Sequence, residues 1–115
     1  MTTRLLLMEA RDYLGVGEDR WCQCAMAVDE YGDEVDPHDP VAHGFCAVGI
    51  LMNLADKKYG TPTKQDAVTS LTKVITDLSF DVETNVNIVS QYNDENDYED
   101  IITVFDQAIA AEDDL

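Results

Sequence analysis

One stretch constrains the fold more than any other. Residues 45–55 read FCAVGILMNLA, a run in which Asn53 is the only plainly polar side chain. Phe45, Val48, Gly49, Met52 and Ala55 recur at helical spacing, and Ile50, Leu51 and Leu54 widen the stripe around the cylinder. A helix apolar over so much of its circumference has to be surrounded, so the rest of the chain must supply its walls. Asp39-Pro40 ahead of it carries start chemistry, with Asp39 as cap and Pro40 in the first turn. The expected helix therefore runs from Pro40 to about Lys57 or Lys58, and Gly60 and Pro62 end it.

The walls are legible in part. Leu6, Ala10, Tyr13 and Leu14 place a first amphipathic helix over about Thr3–Leu14, with Gly15 as a left-handed stop. Ala67, Val68, Leu71, Val74, Ile75 and Leu78 mark another helix, with Thr63 as its cap and Asp66 as a capping-box partner. A last helix, capped by Asn96 or Asp97, turns Ile101, Ile102, Phe105, Ala108 and Ile109 inward and ends near Ala111. Trp21–Val28 alternates imperfectly and reads as a short strand. The turn Asp29-Glu30-Tyr31-Gly32-Asp33-Glu34 would bring Val35 back as a minimal hairpin, with Gly32 at positive φ. Ser79–Asn87 shows no clear period, and Ile88–Tyr92 fits a helical turn or an extended piece equally. The expectation is a mostly α, single small domain of about four helices with a short β-ribbon, or α+β with little β. The domain would take up residues 1–115, with a frayed tail at 112–115.

The charge is lopsided. There are 24 acidic residues against 7 basic ones, a formal charge of −17. Nucleic-acid binders need basic patches that displace counterions, and anionic membranes attract basic segments, so neither is an expected direct partner. No run of about 18 apolar residues exists to cross a bilayer. The apolar start Leu5-Leu6-Leu7-Met8 stops at Glu9 without a small-residue cleavage site, so a cytoplasmic location is expected. No base lies between Arg20 and Lys57, and none follows Lys73. The field is thus concentrated over the ribbon and the C-terminal third.

Cys22, Cys24, His43 and Cys46 are the residues that suggest chemistry. On a strand Cys22 and Cys24 would share a side, and on a helix His43 and Cys46 would sit at i, i+3; together they would make a Cys₃His tetrahedron. The spacing C-x-C and H-x-x-C is not a usual zinc signature, and buried cysteines also serve as small hydrophobes. A Cys46–His43 nucleophile is opposed by surrounding carboxylates, which disfavour a thiolate. Asp94-x-Asn96-x-Tyr98-x-Asp100 lacks the Gly and Glu of a calcium loop. No catalytic residue, metal or cofactor is therefore expected.

Several short motifs occur in a fixed order: Trp21-Cys22-Gln23, Asp29-x-x-Gly32-x-x-Val35, Asp39-Pro40-x-Ala42, Phe45-Cys46-x-x-Gly49-Ile50-Leu51, Tyr92-Asn93-Asp94 and Phe105-Asp106-x-Ala108-Ile109. In that order they resemble a family of small uncharacterised domains of bacteria and their phages, classed as a domain of unknown function. The resemblance covers the chain from the first helix to Ile109. It implies a small helical fold and assigns no activity. Members tend to carry Gly after the Trp-Cys-Gln motif, where this chain has Cys24, which weakens any scheme that makes Cys24 an essential ligand.

The charge exceeds the magnitude of about 2–8 that solubility asks of a small domain. The expected function is accordingly a non-enzymatic acidic protein-binding module, phage-encoded, engaging a basic surface of a host protein as a nucleic-acid mimic or inhibitor. The expected contacts are Asp94, Glu95, Asp97, Glu99 and Asp100, with Asp29, Glu30, Asp33 and Glu34 as a second patch. The alternatives are a metal-binding or cysteine-dependent enzyme domain and an oligomeric structural protein; the oligomeric state is left open.

Overall fold

The computed structural model describes residues 2–113. Among them are five α-helices and a three-stranded antiparallel sheet. Helix α1 spans Thr2–Leu14 and buries Leu6, Ala10 and Leu14 along one stripe, with Leu7 beside it. Gly15 follows it without a positive φ, which among the described glycines is taken by Gly32 and Gly60. A short 3₁₀ turn, Glu18–Arg20, leads to the sheet. Strand β1 is Ala27–Val28, β2 is Glu34–Val35 and β3 is Gly44–Phe45. The strand order is β2-β1-β3, with Ala27 opposite both Val35 and Phe45. The expected hairpin is present, and Gly32 turns it at φ 85°.

The third strand replaces the start of the expected central helix. Pro40 lies in a turn, where Asp39 accepts the Val41 amide at 3.0 Å instead of capping a helix. Helix α2 begins only at Ala47 and runs to Leu54. Its cap is Cys46, whose Sγ accepts the Gly49 amide at 3.2 Å. Start chemistry at residues 39–40 was outweighed because Phe45 and Gly44 complete β1, and Cys46 N–H reaches Met26 C=O at 3.2 Å. The central burial is as expected: Val48, Ile50 and Leu51 are all within 2% of full burial. The helix then loosens into a π-helical turn, Ala55–Tyr59, and Gly60 at φ 87° breaks it.

Helix α3, Thr61–Thr76, starts from Gly60 with Pro62 in its first turn, so Thr63 and Asp66 do not act as its cap. Ala67, Val68 and Leu71 are buried, but Leu78 lies beyond the helix end and is 59% exposed. Helix α4, Val82–Glu95, is the one α-helix beyond the expected four. Asp81 caps it by accepting the Thr84 amide at 2.7 Å. Its buried stripe is Asn85, Val89, Asn93, so the i, i+4, i+8 face is mostly amide and no hydrophobic period marks it. Asn85 justifies its burial by binding both polar groups of Phe80: its Oδ1 accepts the Phe80 amide, and its Nδ2 donates to the Phe80 carbonyl. Helix α5 runs Tyr98–Asp113 and buries Ile101, Phe105 and Ala108. Of the tail expected at 112–115, residues 114 and 115 lie outside the described residues.

Helix α1 packs on α3 and α5, and α4 packs on α3 and α2, enclosing α2 at the centre. The sheet closes one end over the first turn of α2. There the two layers approach so closely that a Cβ on Gly49 would lie 2.0 Å from the Met26 carbonyl oxygen. Glycine at this position lets β1 cross α2, which sets where the sheet, and the groove beside it, can lie.

Candidate functional site: an acidic groove beside a buried asparagine hub

Asn93 is fully buried and uses all of its hydrogen-bonding capacity. Its Oδ1 accepts from the Trp21 indole at 2.7 Å and from the Ala47 amide at 3.0 Å. Its Nδ2 donates to the Cys22 carbonyl at 3.0 Å and the Asp94 carboxylate at 3.2 Å. One side chain thus ties α4 to the first turn of α2 and to the Trp21-Cys22 segment. Gln23 adds a second tie: its Nε2 lies 2.8 Å from the Asn96 carbonyl and 3.2 Å from those of Asn93 and Asp94. These are carbonyls that a helix C-terminus leaves without intrahelical donors. The motifs Trp21-Cys22-Gln23, Phe45-Cys46 and Tyr92-Asn93-Asp94 therefore meet at one place.

Beside the hub lies an open groove of about 250 Å³. Ala25, Met26 and Cys46 form its apolar and sulfur-bearing part, and Cys24 and Ser90 contribute as well. Two carboxylates enter it from separate elements, Glu34 from β2 and Asp94 from the end of α4. One residue from each of the two acidic patches expected from sequence thus lines this groove. Asp94 is held in place there, because its Oδ1 also accepts the Cys24 amide at 2.8 Å.

The remaining expected contact residues are more dispersed. Glu30, Asp33 and Glu34 are exposed along the ribbon turn. Asp29 is half-buried and spends its Oδ1 on the Tyr31 and Asp33 amides, so it builds the turn. Tyr31 projects from the same turn, 86% exposed, at the edge of a second groove with Pro40, Val41 and His43. Asp97 and Glu99 line a shallow groove with Glu18, over Trp21 and Tyr98. Asp100 accepts the Asp97 amide at 3.2 Å and so helps to start α5, and Glu95 accepts from Gln91 at 3.0 Å.

The four residues that suggested a metal or a nucleophile are arranged otherwise than expected. His43 precedes β3 rather than lying on a helix, and its Nε2 pairs with Asp19 at 2.9 Å. Cys22 and Cys24 do not alternate along a strand, since Cys24 adopts a left-handed backbone with φ 64°. No group of three or more His, Cys, Asp or Glu among the described residues is placed to hold a metal ion. Burial, aided by the nearby Cys46 and Asp94, pushes the Cys22 thiol up to about 12. Burial also raises the Cys46 thiol, against the helix amides that favour its thiolate. Both are therefore neutral thiols near neutral pH. Cys46 caps a helix and donates to the Met26 sulfur at 3.5 Å, and His43, the base of the alternative nucleophile, pairs with Asp19 instead.

Ser90, Met26 and Gln23 had not been singled out as site residues. Only the ordered motifs hinted at this location, because the contacts span some 70 residues of sequence. The site is thus a preorganised acidic groove on a small helical domain. The chain belongs to the family of unknown function DUF6197, whose model matches residues 1–111. No curated protein and no solved structure matches it.

Proposed function

We propose that this domain is a non-enzymatic binding module that engages a basic surface of a host protein, in the setting of a phage-encoded, cytoplasmic inhibitor or nucleic-acid mimic. The observation that carries this reading is the ribbon turn, where Glu30, Asp33 and Glu34 are exposed beside an almost fully exposed Tyr31 with no cation of the chain paired to them among the described residues. Several of the chain's own cations are engaged elsewhere: Arg11 on Asp106, Lys58 on Glu9 and Arg20 over the Tyr13 ring. Uncompensated carboxylates around an aromatic attract a lysine- or arginine-rich surface and speed its encounter. In a pull-down from host lysate, the full chain is expected to recover a basic protein that high salt releases, and the double variant E30Q/D33N is expected to recover much less of it. Equal recovery by the neutralised variant, or capture indifferent to salt, overturns the reading.

A further inference from the structure

Three sulfur-bearing side chains meet where the sheet lies on the first turn of α2. Cys46 Sγ donates to Met26 Sδ at 3.5 Å. Cys22 is set beside Cys46 by the backbone. Trp21 forms a parallel bridge with Phe45, and the Cys22 N–H reaches the Phe45 carbonyl at 3.1 Å. The next residues of the two segments, Cys22 and Cys46, are therefore neighbours at about the 4.8 Å spacing of paired strands. The thiols feel that proximity. After burial, Cys46 is the largest influence raising the Cys22 thiol, and the Cys46 backbone N–H favours the Cys22 thiolate. Met26 and Cys46 also line the open groove of about 250 Å³, which gives these sulfurs a path to solvent. A single buried cysteine is a small hydrophobe, but sulfurs gathered from three positions are a ligand set.

We infer that Cys46, Cys22 and Met26 form a three-coordinate site for one soft, monovalent, thiophilic cation, Cu(I) in character, entered from the groove. This goes beyond the binding-module reading and does not depend on it. The cation takes the place of the proton that Cys46 shares with Met26. At a metal–sulfur distance of about 2.3 Å, ligands 3.5 Å apart subtend about 100° at the metal, too bent for a linear pair, so a third ligand is required. Cys22 is that ligand. Its thiol points into the same turn, donating to the Ala25 carbonyl at 3.4 Å. Thiolate and thioether ligands select Cu(I). Two thiols and a thioether fall short of a zinc tetrahedron, and no third His, Cys, Asp or Glu completes one among the described residues. Binding exchanges two thiol protons for one cation, with no change of oxidation state. The negative charge left on the sulfurs meets the Gly49 and Val48 amides at Cys46 and the Cys46 N–H at Cys22. The ligands are also held beforehand: Asn93 holds the Cys22 carbonyl at 3.0 Å, and the Met26 carbonyl accepts the Cys46 N–H at 3.2 Å.

The test titrates the reduced full chain, without oxygen, with Cu(I) in competition with the chromogenic chelator bicinchoninate. One Cu(I) per chain should leave the chelator, with thiolate-to-copper absorption in the ultraviolet. Cys46→Ser keeps a side chain that caps helices well and is expected to lose stoichiometric binding. Met26→Leu conserves volume and is expected to weaken binding by at least the roughly tenfold that loss of an outer-shell partner costs a metal site. It decides the matter should the serine variant fold poorly. A chelator that keeps all its copper overturns the site. Wild-type affinity in Met26→Leu or in Cys46→Ser also overturns it, because the copper then sits elsewhere, as on exposed Cys24. Displacement of the copper by equimolar Zn(II) overturns the soft-cation assignment.

Discussion

Trp21 and Asn93, separated by 72 positions, are joined by a 2.7 Å hydrogen bond from the indole N–H to the amide oxygen. The same oxygen caps α2 through the Ala47 amide, so a single buried side chain couples the sheet end of the molecule to α4 and α2. Polar networks of this kind stabilise when every member is satisfied and are costly when one is removed.

Replacing Asn93 by Leu leaves the indole N–H, the Ala47 amide and the Cys22 carbonyl without their partner. The expected loss is about 3 kcal/mol, the cost of orphaned buried polar groups. Urea unfolding measures it. Trp21 is the only tryptophan, so its emission should also change in the folded state. A loss well under 1 kcal/mol would show that the hub is dispensable.

Cys24 sits at φ 64°, where a Cβ is strained. Cys24→Gly relieves that strain but adds freedom to the unfolded chain, for a net gain of about 0.5–1 kcal/mol. Denaturation midpoints compared under reducing conditions decide the matter. A variant no more stable than the parent contradicts the strain argument.

The three cysteines should differ sharply in reactivity. With its thiol pushed up to about 12, on the order of 10⁻⁵ of Cys22 is thiolate at pH 7. Cys46 is buried and its thiol is also raised, whereas Cys24 is exposed. Brief alkylation of the native protein with iodoacetamide should therefore add one label, at Cys24, and denaturation should release the other two sites. Rapid labelling of Cys22 in the folded state would refute the assigned burial.

Glu9 accepts from Lys58 at 3.0 Å and from the Tyr59 hydroxyl at 2.9 Å. The Lys58 hydrogen bond, and secondarily Tyr59, hold its carboxyl below the ordinary glutamate value despite an opposing burial effect. A depressed folded value means that this contribution is complete above the unfolded pKa and is lost as pH falls through the folded one. Lys58 is well exposed, so solvent screening limits the contribution to about 0.5 kcal/mol. Stability profiles of the wild type and Glu9→Gln should converge as pH falls below the glutamate range. A constant gap between them at all pH values would mean that the charge plays no part.

Several elements were determined by local sequence. Helix α1 followed from Leu6, Ala10 and Leu14, and α5 from Ile101, Phe105 and Ala108, because apolar periodicity alone selects a helix that can bury one face. The hairpin followed from Gly32 and its acidic turn. The lopsided charge, and the two stretches that carry it, were fixed by composition before any folding.

Tertiary structure decided the rest, wherever a residue's partner is distant in sequence. The signal at Asp39-Pro40 predicts a helix, but pairing of Gly44-Phe45 with Val28-Ala27 outweighs it and hands the cap to Cys46. Helix α4 was obscured because Asn85 and Asn93 occupy its buried face, and an asparagine reads as buried only once its hydrogen-bond partners are in place. The groove has the same origin. Glu34 and Asp94 are 60 residues apart and belong to what read as two patches, and only the crossing of β1 over Gly49 brings them to one cavity. Local pattern selects elements through short-range sterics and periodicity, whereas long-range pairing and buried amides place them, and the site exists only in that placement.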